Sequence, residues 1–156
     1  MRQPLVAGNW KLNGSLETIL ELVSGIVNQL PTITNAELVV CPPAVYLGYV
    51  QQLLDGVDVS LGAQDCSVQE SGAYTGELAA AMIKEFDCKY IIIGHSERRH
   101  IYGESNETVA IKFEQVKNNS LVPILCVGET LQNREDGHTE ITIAQQLDAV
   151  LEHSGV

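Results

Sequence analysis

Five short apolar runs recur along the chain with little alternation: Pro4–Gly8, Glu37–Cys41, Val57–Ala63, Tyr90–Gly94 and Leu121–Val127. Val, Ile, Leu and Cys dominate them, the pattern of strands buried on both faces of a parallel sheet. Segments of helical period lie between. Leu16, Ile19, Leu20, Val23, Ile26, Val27 and Leu30 fall at i, i+3, i+4, i+7 spacing behind Ser15, a residue suited to an N-cap. Pro43 opens a second helix that extends to about Leu54, because proline is tolerated in a first helical turn. Leu78–Phe86 predicts a third. Ser105 caps a fourth that runs through Asn118, with Val109, Lys112, Phe113 and Val116 along one side. A fifth runs from about Thr139 to His153 and offers Ile143, Leu147, Val150 and Leu151 for burial.

The order is a βα unit repeated five times across residues 1–156, read as one domain without linker, low-complexity tract or charge block. Parallel strands with right-handed crossovers admit an open doubly wound sheet or a (β/α)₈ barrel. Successive strands start about 33, 20, 33 and 31 residues apart, and a barrel of about 250 residues averages about 31 per unit. The expected fold class is therefore α/β, a (β/α)₈ barrel truncated to five units. A doubly wound sheet, complete at five strands, stands as the alternative.

Composition narrows the function. Hydrophobic residues make up 45% and charged residues 19% of the 156, a globular balance. No apolar run approaches the roughly 20 residues a membrane helix needs, and the N-terminal apolar stretch, broken at Gly8-Asn9-Trp10-Lys11, does not read as a signal peptide. Cys41, Cys66, Cys88 and Cys126 form no CxxC pair, so buried free thiols of a cytoplasmic protein are expected, without metal. The net charge of −11 repels polyanions, which argues against nucleic acid as a partner. A small phosphorylated ligand is compatible, held by a lysine and backbone amides.

Both architectures work at the carboxyl ends of their strands. There the sequence places Asn9-Trp10-Lys11, Pro42-Pro43, Gln64-Asp65-Cys66, His95-Ser96-Glu97-Arg98-Arg99 and Gly128-Glu129-Thr130. Lys11, His95 and Glu97 converge on that geometry alone. Lys11 can hold a phosphate or a developing oxyanion, or be a snorkelling surface lysine. His95 precedes a short helical turn, whose N-terminus disfavours an imidazolium, or is a structural histidine tied to the backbone. Glu97 can orient Lys11 or pair with Arg98 or Arg99. Glu129 reads as a loop or helix-start carboxylate, not a general base. The long segment Gln64–Glu77, with Gly72-Ala73-Tyr74-Thr75-Gly76 at its tip, reads as a functional loop that projects into a neighbouring subunit or as a mobile surface loop. Neither a GxGxxG nor a GxxxxGK[ST] fingerprint is present.

These residues resemble the triosephosphate isomerase family. Gly8-Asn9-Trp10-Lys11-Leu12-Asn13, Leu61-Gly62-Ala63-Gln64, Gly72-Ala73-Tyr74-Thr75-Gly76-Glu77 and Pro123-Ile124-Leu125-Cys126-Val127-Gly128-Glu129-Thr130 are similar to blocks of that family. Tyr90-Ile91-Ile92-Ile93-Gly94-His95-Ser96-Glu97-Arg98-Arg99 is the most specific, and the matches run in family order over the whole chain. The resemblance implies a TIM barrel, a glycolytic and gluconeogenic isomerase, and interconversion of dihydroxyacetone phosphate with glyceraldehyde 3-phosphate through an enediolate. It implies no organic cofactor or metal. Asn9 and Lys11 bind substrate on this view, and Lys11 and His95 are catalytic. A neutral His95 that polarises the carbonyl is a property carried by the resemblance and not by the spacing. Glu97 and Ser96 support the site, and Thr75 reaches across a homodimer interface.

The same resemblance puts a catalytic glutamate after a sixth strand, then a lid and phosphate-binding amides, none of which has a counterpart in these 156 residues. The expectation is an N-terminal portion of about five units, inactive alone, with strands one and five left as open edges. Two competing readings are a non-catalytic assembly half that pairs with a C-terminal piece, and an unrelated α/β module for a phosphorylated ligand.

Overall fold

Strands β1 (Leu5–Asn9), β2 (Glu37–Cys41), β3 (Ser60–Ala63), β4 (Cys88–Ile93) and β5 (Val122–Leu125) form one parallel sheet ordered as in the chain, β1-β2-β3-β4-β5. The computed structural model describes residues 3–32 and 35–155. Around the sheet lie helices α1 (Leu16–Gln29), α2 (Leu47–Leu53), α3 (Ala80–Lys84), α4 (Ser96–His100), α5 (Asn106–Asn118), α6 (Leu131–Glu135) and α7 (Thr139–Ser154). When every crossover moves one strand onward in the same direction, right-handedness places the connecting helices on one face. The cores agree. Ile19, Val50, Ile83, Val109 and Val150 of the helices pack with Val40, Leu61, Ile91 and Ile93 on one face. The other face carries a strand-only cluster of Val39, Cys41, Tyr90 and Ile92, flanked by Ile124 and Cys126. A doubly wound sheet reverses its strand order and takes helices on both faces. This sheet is half of a barrel.

Local chemistry sets the element ends. Ser15 and Thr18 form a reciprocal capping box on α1, and the Ser105 hydroxyl accepts from Thr108 N–H on α5. Pro43 does not open α2 directly: a 3₁₀ turn over Ala44–Tyr46 intervenes. The strand expected from Val57 begins at Ser60, because Val57 and Val59 N–H groups are taken by turn bonds to Leu54 and Val57 carbonyls. In β3 a Cβ on Gly62 would lie 2.7 Å from Cys41 Sγ and 3.2 Å from the Tyr90 carbonyl oxygen, so only glycine lets β2 and β4 approach there. The third helix shrinks from Leu78–Phe86 to Ala80–Lys84.

Burial departs from the pattern at the margins. Leu16 is 59% exposed and Val6 57% exposed, and Leu5, Leu20, Leu147 and Leu151 are exposed as well. α1 packs mainly on α2, and α7 mainly on α5, so each outermost helix has a helical neighbour on one side only. β1 and β5 are the sheet edges, each with one paired side. Exposed apolar margins beside free strand edges template association. Light scattering on the 156-residue chain is expected to show a weight-average mass that rises with micromolar concentration. A monodisperse monomer throughout that range contradicts it.

Candidate functional site

The carboxyl ends of β1, β3 and β4 surround a cleft of about 350 Å³, lined by Asn9, Lys11, Gln64, Asp65, His95 and Glu97 among others. Lys11 Nζ donates to Glu97 Oε1 at 2.8 Å across 86 residues of sequence. That hydrogen bond holds the Glu97 carboxyl below the usual glutamate range. Lys11 has φ +53°, a left-handed conformation that costs a non-glycine residue on the order of 1 kcal/mol or more. Its peptide is pinned from two sides: Lys11 N–H donates to Asn9 Oδ1 at 3.0 Å, and Gln64 Nε2 donates to the Lys11 carbonyl at 2.9 Å and the Cys41 carbonyl at 2.8 Å. The strained turn therefore aims the ammonium at β4.

His95 caps α4. Its Nδ1 accepts from the Glu97 backbone N–H at 3.4 Å and lies 3.2 Å from Glu97 Oε2. A ring nitrogen meets one of these in its plane, as acceptor or as N–H donor. The helix-capping geometry points the backbone N–H at the ring, and we assign Nδ1 as the acceptor, which leaves the proton on Nε2. Gly94 (φ +65°) turns the chain into α4, and a Cβ there would meet Arg99 Nη2 at 2.7 Å and Val109 Cγ1 at 2.9 Å. Ser96 is exposed at the first position of α4. Thr75 lies on the exposed tip of the loop after β3, whose base is closed by Ser67 N–H donating to the Leu78 carbonyl at 2.8 Å. Glu129 points away from general-base work: its own backbone N–H and Arg134, at 2.8 Å, hold its carboxyl low.

Beneath the cleft is a charge cluster that the sequence reading did not identify. Lys112 Nζ, 4% exposed, donates to both Asp65 oxygens at 2.8 Å and to Glu104 Oε1 at 2.6 Å. Arg98 Nε bonds Glu104 and lies 2.8 Å from Asp65 Oδ2. Two carboxylates and two cations thus tie the β3 loop, α4 and α5 together. A lysine among Val109, Phe113 and Val116 was the available signal, since a charge on an apolar helix face needs buried partners. Burial works to raise the Glu104 carboxyl, yet hydrogen bonds from Lys112 and Arg98 overcome it and hold it below its ordinary value. Asp65, facing the same lysine, is instead raised by burial. Both acids face both cations, and the deeper desolvation of Asp65 is what separates their directions. Among the described residues, no three His, Cys, Asp or Glu side chains come together as a metal-ligand set, and no helix is long and apolar enough to cross a membrane. Cys41, Cys66, Cys88 and Cys126 are free, the first three buried.

The triosephosphate isomerase family model matches residues 4–156. Triosephosphate isomerase of Dechloromonas aromatica is 52% identical over 159 aligned residues, covering all of this chain and 62% of that protein. That of Photorhabdus laumondii is 50% identical, covering all of this chain and 61% of its own length. The crystal structure of triosephosphate isomerase from Bartonella henselae superposes with a TM-score of 0.90 at 36% identity, over 96% of this chain and 62% of that one. The chain spans about three fifths of the length of these relatives.

Lys112→Met leaves Asp65 and Glu104 with only Arg98 of the two cations they share and is expected to lower stability by about 3 kcal/mol in urea titration. Glu104 ionises more readily folded than unfolded, so it stabilises above its ordinary value of 4.5 and that contribution fades as pH falls through the lower folded value. Below pH 4.5 the gap between parent and variant should narrow. A Lys112→Met midpoint equal to the parent's contradicts the cluster.

Proposed function

Because the chain belongs to the triosephosphate isomerase family, we propose that its cleft is the site where dihydroxyacetone phosphate and glyceraldehyde 3-phosphate interconvert. The observation that carries this reading is the Lys11–Glu97 pair at 2.8 Å beside His95 at one rim of the sheet. In this account Asn9 and Lys11 hold the substrate, and the ammonium stabilises the charge that develops on oxygen. His95 Nε2–H donates to the carbonyl oxygen as the carbon-bound proton leaves, and the ring takes the hydroxyl proton from the neighbouring oxygen, so one imidazole serves both oxygens of the enediolate. Glu97 orients Lys11 and caps charge on it, with Ser96 beside it on α4.

The carbon-bound proton needs a base. Of the carboxylates lining the cleft, Glu97 is engaged by Lys11, Asp65 by Lys112 and Arg98, and Glu77 stands in the field of Arg98. We assign the base to the glutamate that the family carries after a sixth strand, together with the main phosphate-holding amides. The 156 residues then provide the electrophilic half of the site and are inactive alone. The exposed apolar margins favour a second reading, an assembly half completed by a C-terminal piece; the two agree on what is missing and differ on whether turnover follows completion. Exposed Thr75 supports a homodimer in which the loop tip reaches the partner's cleft, and four free cysteines support a cytoplasmic setting. The net charge of −11 disfavours nucleic acid and leaves substrate capture to local donors; metal and organic cofactors have no part in the scheme.

A coupled isomerase assay on the 156-residue chain is expected to show no turnover above blank. Supplying the remaining βα units as a second polypeptide should restore it, and Lys11→Ala or His95→Gln should then cost about 10²–10⁴-fold. Turnover near that of a full-length relative from the chain alone, or an unimpaired His95→Gln complex, overturns the assignment.

A further inference from the structure

The buried side chain of Gln146, on α7, closes a pair of hydrogen bonds on one peptide position of the β5 loop. Gly128 N–H donates to Gln146 Oε1 at 2.9 Å, and Gln146 Nε2 donates to the Gly128 carbonyl at 2.9 Å. A carboxamide used this way copies the peptide of a neighbouring strand, and it does so just past the point where the ladder stops. The last ladder-like bond beyond β5 runs from Cys126 N–H to the Ile93 carbonyl at 2.9 Å. Sterics do not hold Gly128, for a Cβ there would meet nothing within 4 Å. Cys126, Val127, Gly128 and Glu129 form one wall of a second cleft of about 230 Å³ whose opposite wall includes His95 and Arg99. Arg99 Nη2 fixes the near end of that wall by donating to the Cys126 carbonyl at 3.2 Å, and Gln146 fixes the far end.

We propose that Gln146 is a positioning residue, holding the Cys126–Glu129 wall at a set distance from His95 by its two hydrogen bonds to Gly128. The inference rests on the reading of His95 as the electrophile of the isomerisation. The charged groups next to Gly128 are already occupied: Glu129 by Arg134, and Arg99 by Gly94, Asn106 and Cys126. Gln146 therefore acts as a neutral clamp.

Gln146→Met keeps side-chain volume and removes both polar contacts. In the 156-residue chain its Gly128 amide should exchange about tenfold faster or more, and the His95 ring resonances should shift while those of Tyr46, on the far side of the sheet order, stay in place. Gln146→Glu supplies an internal control. As a carboxylate it accepts from the Gly128 N–H but repels the Gly128 carbonyl; once protonated it can both donate and accept, as the amide does. Its Gly128 protection should recover towards the parent's on acidification, measured against the parent at each pH, an effect that loss of packing cannot give. Unchanged Gly128 exchange and His95 resonances in Gln146→Met overturn the proposal, as does a Gln146→Glu chain with no recovery in acid. Should Gln146→Met fail to fold, the pH arm on Gln146→Glu decides alone. A completed barrel without turnover would remove the isomerase reading and leave these resonances standing, so the two failures are distinct.

Discussion

An ammonium and a carboxylate 86 residues apart meet at 2.8 Å, and that contact favours a curved sheet. Lys11 follows β1 and Glu97 follows β4, with two strands between them. On a flat sheet, strands spaced about 4.8 Å apart would put the ends of β1 and β4 about 14 Å apart. Only fully stretched side chains would bridge that gap, curvature shortens it, and curvature with an unreversed strand order is the signature of a barrel wall. Asn9 and Gln64 brace the strained Lys11 peptide from β1 and β3. The site exists because the sheet curves, and the parallel crossovers that curve it also leave one face free of helices.

Charge is distributed with the same economy. The chain carries a net −11, yet the cations around the site are committed: Lys11 to Glu97, Arg98 and Lys112 to Asp65 and Glu104, Arg99 to backbone carbonyls and Asn106. The one ammonium at the rim is half-exposed and already shared with a carboxylate. Under the function proposed above, that arrangement suits stabilising charge that shifts between two oxygens better than capturing a dianion.

The apolar runs that mark β2 and β4, and the serines ahead of α1 and α5, were readable because burial on both faces and N-cap chemistry write directly into residue type. The convergence of Lys11, His95 and Glu97 was readable too, because strand ends share a rim. Other features depend on partners that no local pattern reports. Leu147 and Leu151 have helical spacing but face the side of α7 without a neighbour. Lys112 sat in an apolar stripe, while the acids that make its burial tolerable lie 47 and 8 residues away. Gln146 is a polar residue between the apolar positions of α7, and only the fold brings the Gly128 peptide to it.

Everything at the rim depends on the Lys11 ammonium donating to an ionised Glu97 carboxylate, and the direct measurement is a carbon-13 titration of the Glu97 side-chain carboxyl in the parent and in Lys11→Met. The parent carboxyl should titrate below the usual glutamate range and return towards it when the ammonium is removed. Superimposable titration curves would mean that the Lys11 ammonium and the Glu97 carboxylate do not meet, and the site built on their contact would go with it.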